Sequence, residues 1–234
     1  FADTARRRPL KPTVWAGRLC GRLALPFLMN AQTEHLLQDG PAGALEVAID
    51  RAPEPRGAVV IAHPHPLHGG TLSNKVVQTL ARASVLAGWS AVRFNFRGVG
   101  RSEGQYDEGR GELADLLAVI EEQVPTGPLC LAGFSFGAFV TSPAVAPIHA
   151  SRDVQHVVLV GTAASRFTVA ELPAELQCRT LVVHGEQDDT VPLESVMAWA
   201  RPQMLPVLVM PTVGHFFHGQ LPLLRDTVQR HLRG

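Results

Sequence analysis

The sequence predicts an α/β protein with a mostly parallel central sheet and helices on both of its faces. Short apolar runs alternate along the chain with longer segments of helical periodicity. Several of these runs, such as Gly57–Ala62 and Val154–Val160, are continuously apolar, which is typical of strands buried on both faces. No repeat or low-complexity linker interrupts the alternation, so one sheet is expected.

Composition excludes several functional classes. The 234 residues contain 21 Lys and Arg and 21 Asp and Glu, so no net positive field is available to attract a nucleic acid. No apolar run is long enough to predict a membrane span. The three cysteines, Cys20, Cys130 and Cys178, have no paired spacing, which indicates free thiols in a reducing compartment and a cytoplasmic location.

The N-terminal segment is set apart from the rest of the chain. We expect residues 1–32 to be an extension and residues 33–234 to be the catalytic domain. Trp15, Leu19 and Leu23 have the spacing of an amphipathic helix, which would pack on the domain, on a membrane surface or on a second copy of the chain. The alternative is a segment foreign to the natural protein. The oligomeric state is not fixed by the sequence.

The first elements of the expected sheet follow this extension. Ala44–Ile49 alternates in polarity and is expected to be an edge strand. Gly57–Ala62 is expected to be a buried strand. Ser73 can cap a helix that runs to about Ala87, where Gly88 follows it.

The middle of the chain continues the alternation. Trp89–Phe96 predicts a strand, and the apolar stripe of Glu112–Gln123 predicts a helix. The apolar run from Leu129 predicts another strand. The helix that follows begins at Phe136 and should be kinked or shortened by Pro143.

The C-terminal part repeats this pattern. Its expected elements are buried strands at 154–160, 180–184 and 206–210, and helices at 193–200 and 221–232. About twenty residues separate the first two of these strands, which is too few for a separate cap domain between them. We therefore expect an open, shallow site.

A serine between two glycines is the strongest motif. Gly133–Gly137 fits the pattern G-x-S-x-G, and it lies between an expected strand and an expected helix. In this setting the serine occupies a strained corner with its hydroxyl clear of the sheet, so Ser135 is the expected nucleophile. A purely structural turn is the alternative.

A serine hydroxyl needs a base, and the base needs a carboxylate to orient it. In parallel sheets such groups collect at the carboxyl ends of strands. Asp188 and His215 both follow expected strands, and we assign them as acid and base. Asp189 and His218 are the alternatives for these two roles.

Three further segments carry a resemblance to a known family. His63–Pro66, Arg93–Gly104 and His184–Asp188 resemble the characteristic segments of the lidless, dienelactone-hydrolase-like branch of the α/β-hydrolase superfamily. The resemblance extends over about residues 40–234, and it implies a serine hydrolase or esterase with Asp188 rather than Asp189 as the acid. The dienelactone hydrolases proper carry a cysteine nucleophile where this chain has Ser135, so their particular reaction is not implied.

An acyl transfer also requires donors for the developing oxyanion. The backbone N–H of Phe136 is the first candidate. Pro64 and Pro66 have no N–H, so His65 between them is the second candidate, with Leu67 in reserve.

Two other polar groups of the chain have alternative interpretations. His63, His65 and His68 could form a metal cluster, but no acidic residue lies nearby, and we predict neither a metal nor a cofactor. Arg97 and Arg101 could bind a substrate carboxylate, but pairing with Glu103, Asp107 or Glu112 is the preferred interpretation.

These inferences predict a serine hydrolase that cleaves small to medium carboxylic esters through an acyl-enzyme. The expected partner is a small-molecule ester. A thioesterase or a peptidase would use the same three residues, and a catalytically silent binding protein with this fold is the alternative from another class.

Overall fold

The computed structural model describes residues 33–234. The expected extension at residues 1–32, with its amphipathic helix and its self-association, lies outside the described residues. The described chain forms one eight-stranded sheet with helices between the strands. The strands are β1 (Glu34–Gly40), β2 (Gly43–Asp50), β3 (Ala58–Ala62), β4 (Ser90–Phe94), β5 (Leu129–Phe134), β6 (Val154–Val160), β7 (Thr180–Gly185) and β8 (Val207–Met210).

The strand order is β1-β2-β4-β3-β5-β6-β7-β8. β1 pairs with β2 and β2 with β4 in antiparallel register, and every other neighbouring pair is parallel. The carboxyl ends of β3 to β8 therefore meet along one edge of the sheet, with β5 near its centre. This edge is the expected place for a ligand site in a parallel sheet.

The helices cover both faces of the sheet, as the sequence predicted. They are α1 (Lys75–Leu86), α2 (Arg110–Gln123), α3 (Phe136–His149), α4 (Ala174–Gln177), α5 (Leu193–Ala200) and α6 (Leu221–Leu232). Buried side chains of α2, α3 and α5 form one core with the sheet, and those of α1 and α6 form a second core on the opposite face. Within residues 33–234, no helix has the length and apolar character needed to cross a membrane.

The strands in the middle of the sheet contribute to both cores because successive side chains point to opposite faces. In β3, Val60 packs in the core of α2 and α3, while Val59 and Ile61 pack in the core of α1 and α6. This explains why β3 is apolar at every position. The segment between β6 and β7 contains only the one-turn helix α4, and no cap domain is inserted there.

The two outermost strands of the sheet differ from the sequence prediction. Ala44–Ile49 lies in β2, which is not an edge strand, because β1 pairs along its outer side. β1 was not predicted because its sequence, EHLLQDG, is mostly polar and exposed. At the other end, β8 was expected to be buried, but it forms the second edge, and three of its four residues are partly or fully exposed.

Two details of the helices also differ from expectation. Asn74 rather than Ser73 caps α1, because its Oδ1 accepts a hydrogen bond from the N–H of Val76 at 2.9 Å. α3 contains Pro143 and continues to His149 instead of being shortened. Proline removes the N–H that would bond to the carbonyl of Phe139, and the hydroxyl of Ser142 donates to that oxygen at 2.8 Å instead.

Candidate active site

Ser135 lies between β5 and α3, at the carboxyl end of the central strand. Its backbone has φ 57° and ψ −115°, a conformation that non-glycine residues rarely adopt and that costs about 1–3 kcal/mol. A Cβ at Gly133 would lie 2.4 Å from the carbonyl oxygen of Gly137, and a Cβ at Gly137 would lie 2.3 Å from that of Ala62. Both glycines of the motif are therefore required by close backbone contacts.

His215 reaches Ser135 from the loop after β8. Its Nε2 is 3.0 Å from Oγ of Ser135, and its Nδ1 is 2.6 Å from Oδ2 of Asp188. The imidazole is 4 % exposed and packs against the rings of Phe134 and Phe216. The structure thus brings Ser135, His215 and Asp188 into one chain of hydrogen bonds.

Asp188 is held in the loop after β7. Its Oδ1 accepts the backbone N–H groups of Thr190 and Val191 at 3.0 and 2.7 Å, and Oδ2 faces His215. These donors stabilise an ionised carboxylate. Asp189 points to solvent and interacts with the Thr190 hydroxyl, so Asp188 is the carboxylate that meets the imidazole.

His184 lies beside the carboxylate of Asp188. The side chain is fully buried, its Nε2 lies 2.9 Å from the carbonyl oxygen of Val191, and the same nitrogen is 3.5 Å from Oδ2 of Asp188. Nε2 must carry the proton to donate to the carbonyl. Burial lowers the pKa of His184, so the ring remains neutral beside the acid.

Gly161 is a site residue that the sequence interpretation missed. It follows β6 directly, with φ +55°, and an added Cβ would lie 3.2 Å from Cε1 of His215. A side chain there would be strained and would press on the imidazole. Its position immediately after a buried strand is the signal by which it could have been identified.

The two backbone amides expected to face an oxyanion have no partner within residues 33–234. Neither the N–H of Phe136 nor that of His65 donates a hydrogen bond there, and both residues line the cavity beside Ser135. By contrast, the N–H of Leu67 donates to Nδ1 of His65 at 3.2 Å. Leu67, the reserve candidate, is therefore the less available donor.

The other histidines near β3 have structural partners. His63 is fully buried, its Nδ1 donates to the carbonyl of Pro64 at 2.6 Å, and its Nε2 accepts the N–H of Phe96 at 3.0 Å. Burial lowers the pKa of His63 to about 4, which keeps the ring neutral. Both ring nitrogens are occupied, so His63 cannot bind a metal ion with His65 and His68. No cluster of metal ligands occurs in the described part of the chain.

The predicted ion-pair partners of Arg97 and Arg101 were wrong. Arg97 pairs with Asp115 of α2 at 2.7 Å, and Asp115 has no exposed side-chain surface. Glu112 instead accepts the N–H groups of Asp107 and Gly109 and so fixes the start of α2. Neither Arg97 nor Arg101 lines the cavity at Ser135.

A cavity of about 290 Å³ opens beside Ser135. One wall is aromatic, because Phe136 and Phe167 lie in edge contact with ring centroids 5.3 Å apart. Phe167 and its neighbour Arg166 come from the segment between β6 and β7, which the sequence interpretation assigned no role. Both residues lie in an irregular segment between two strands, which gave no sequence signal for this role.

The sheet order, the strained serine corner and the position of the histidine define an α/β hydrolase. A protein-family model described as serine aminopeptidase, S33, matches residues 53–170. A solved α/β serine hydrolase without a lid, from Xanthomonas campestris, is 37% identical with a TM-score of 0.77, over 88% of this chain and 96% of that one. An α/β serine hydrolase homologue from Coxiella burnetii is 40% identical with a TM-score of 0.74, over 85% and 97% of the two chains.

These similarities identify the family. The chain belongs to the α/β-hydrolase superfamily, and one of the solved structures that it resembles is described as a serine hydrolase without a lid. An uncharacterised protein from Rickettsia prowazekii is 37% identical over 107 residues, and this match spans 44% of the chain and 45% of the Rickettsia protein.

Proposed function

We propose that the protein is a serine hydrolase that cleaves small to medium carboxylic esters through an acyl-enzyme. The observation that carries the proposal is the position of His215, with Nε2 at 3.0 Å from Ser135 Oγ and Nδ1 at 2.6 Å from Asp188 Oδ2. An imidazole held in this way can take the proton of the serine, and the carboxylate stabilises the imidazolium that forms.

The proposed reaction has two steps. His215 accepts the proton of Ser135 as Oγ attacks the ester carbonyl, and the same proton then passes to the leaving alcohol as its C–O bond breaks. Water attacks the resulting acyl-enzyme, again with His215 as base, and the acid is released. The free N–H groups of Phe136 and His65 are proposed to stabilise the oxyanion of both tetrahedral intermediates.

The cavity supports a limit on substrate size. Its volume of about 290 Å³ is at the small end of the usual range for ligand sites, and within residues 33–234 no cap domain closes over it. A long acyl chain would extend into solvent and gain little from burial. Activity is therefore expected to fall from short to long acyl chains.

An aminopeptidase is the second candidate, because the matching family model carries that description. Such an enzyme needs an acidic group to bind the ammonium group of its substrate. No Asp or Glu side chain lines the described cavity, which favours an ester over an aminopeptide.

The test compares wild type with Ser135→Ala. A fluorophosphonate should label the wild type at Ser135 alone, and Ser135→Ala should lose both labelling and ester hydrolysis by several orders of magnitude. A panel of 4-nitrophenyl esters from acetate to palmitate, acyl thioesters and aminoacyl 4-nitroanilides identifies the substrate class. Absence of labelling would favour a silent binding protein, labelling of another residue would overturn the assignment, and fastest cleavage of anilides would favour the peptidase.

A further inference from the structure

The cleft at Ser135 is lined by basic groups and by no acidic one. The cavity is bordered by His65, His68 and Arg166. A second depression adjoins it, shares Asn74 and Phe216 with it, and adds Lys75 and His218. Among the described residues, neither lining contains an Asp or a Glu side chain. A substrate that enters this cleft therefore meets basic side chains and, among the described residues, no acidic one.

Arg166 is the arginine among the residues that line the cavity. It lies one residue before Phe167, is solvent exposed, and forms no ion pair within 4.0 Å with any carboxylate of residues 33–234. This distinguishes it from Arg97, whose charge is neutralised by Asp115. An unpaired guanidinium beside a cavity is suited to a carboxylate, which it can bind with two parallel hydrogen bonds.

The positive charges also affect the pKa of His65, which lines the cavity. The pKa of His65 is lowered first by burial and then by the positive charges of His68 and Arg166. Two carboxylates adjoin the cleft without belonging to its lining. Asp188 is buried and accepts hydrogen bonds from backbone N–H groups and His215, and Asp189 is outside the lining and exposed to solvent.

We propose that the substrates of this site are esters that carry a second, anionic group, and that Arg166 binds that group. The proposal rests on the esterase function proposed above and adds the substrate class: an ester whose acyl part or leaving group bears a carboxylate. The hydrolysis itself is unchanged, since Ser135 replaces the alcohol at the carbonyl, the alcohol leaves with the proton of His215, and water regenerates the serine. Lys75 contributes to the field at the adjoining depression.

The experiment uses matched pairs of esters. Mono-4-nitrophenyl glutarate and 4-nitrophenyl pentanoate have the same acyl length, but only the glutarate carries a terminal carboxylate. 4-Acetoxybenzoate and 4-methylphenyl acetate place the difference in the leaving group instead. We expect one anionic member to be preferred over its neutral match by about two- to fivefold in kcat/KM through a lower KM, as for a solvent-exposed ion pair. The pair that shows the preference tells which side of the scissile bond faces Arg166.

Substitutions connect the preference to one residue. Arg166→Gln should reduce the ratio of kcat/KM for the anionic and neutral esters to about one, and Arg166→Glu should invert it. The matched control is Arg179→Gln, because Arg179 is also exposed but lies just before β7, at the opposite edge of the sheet. This control should retain the wild-type ratio. Addition of 0.5 M NaCl should reduce the preference, since screening weakens an exposed pair.

The outcomes separate this proposal from the esterase assignment. Equal kcat/KM for both members of both pairs, unchanged in Arg166→Glu, would overturn the anionic substrate and leave the esterase intact. If no ester is cleaved, calorimetric titration of Ser135→Ala with mono-4-nitrophenyl glutarate and with 4-nitrophenyl pentanoate still decides the matter. Tighter binding of the glutarate that is lost on Arg166→Glu supports the proposal, and equal binding refutes it.

Discussion

Replacement of Asp188 by Asn tests the hydrogen-bond chain at its most constrained point. In the native protein, Oδ1 accepts from the N–H groups of Thr190 and Val191, and Oδ2 accepts from Nδ1 of His215. An Asn side chain has one acceptor oxygen instead of two. When that oxygen remains with the two backbone groups, the amide NH₂ faces Nδ1. The imidazole must then carry its proton on Nε2, where it faces Ser135 and cannot act as a base.

The expected loss is large. A wrong tautomer at this position lowers kcat by about 10⁴, which corresponds to about 5.5 kcal/mol of transition-state stabilisation. Asp189→Asn is the matched control, because this neighbouring carboxylate is exposed and makes only a 3.3 Å contact with the hydroxyl of Thr190. Its kcat should remain within about twofold of wild type, since surface changes of this kind have small effects.

The assay is steady-state hydrolysis of 4-nitrophenyl acetate by both variants, with circular dichroism to verify that each is folded. The reasoning is refuted if folded Asp188→Asn retains more than a tenth of wild-type kcat. It is equally refuted if Asp189→Asn is the more damaged of the two. In that case the acid would be the neighbouring residue, and the loop after β7 would have to adopt another conformation during catalysis.

Three further predictions concern residues around the site. Gly161→Ala should lower both the melting temperature and kcat, because φ +55° costs a side chain about 1–2 kcal/mol and its Cβ would lie 3.2 Å from His215; an unchanged kcat in a stable variant would contradict this. Asp115→Asn should reduce the free energy of unfolding by about 3–5 kcal/mol in urea titrations, since it leaves the largely buried charge of Arg97 unpaired; a loss below about 1 kcal/mol would show that solvent compensates. His63 has a folded pKa of about 4, below its ordinary value of 6.5, so the unfolded chain binds its proton first as the pH falls. The contribution of neutral His63 to the free energy of unfolding is therefore complete above pH 6.5 and falls by about 3 kcal/mol towards pH 4. In His63→Gln, the free energy of unfolding measured by urea titration should change less between pH 6.5 and pH 4 than in the wild type.

The sequence was sufficient for the central part of the fold because that part is governed by burial. β3, β5, β6 and β7 are parallel strands between two layers of helices, so both faces of each strand need apolar residues. Such runs are visible in a single sequence, and their ends mark the edge where ligands gather. This is why the position of Ser135 at a strand end identifies it from the sequence alone.

The features that were missed depend on neighbours distant in sequence. β1 is held by pairing with β2 rather than by its own apolar residues, so its sequence carries little strand signal. α3 continues past Pro143, where the hydroxyl of Ser142 donates to the carbonyl that the proline leaves without its helical partner, and no propensity scale includes such a contact. The proposed role of Arg166 depends on the cleft that it borders and on its having no ion pair with a carboxylate of residues 33–234, and neither is a local property of the sequence.

The location of β8 has a consequence for how the protein loses activity. Within residues 33–234, this four-residue strand hydrogen-bonds to β7 on one side only, and the loop after it carries His215. Ser135, in contrast, follows the central strand β5, which has a neighbour on each side. Fraying of an edge strand requires less free energy than global unfolding. Warming should therefore separate the imidazole from the serine while the centre of the sheet is still intact, and amide hydrogen exchange at residues 207–210 should follow inactivation more closely than exchange at 129–134.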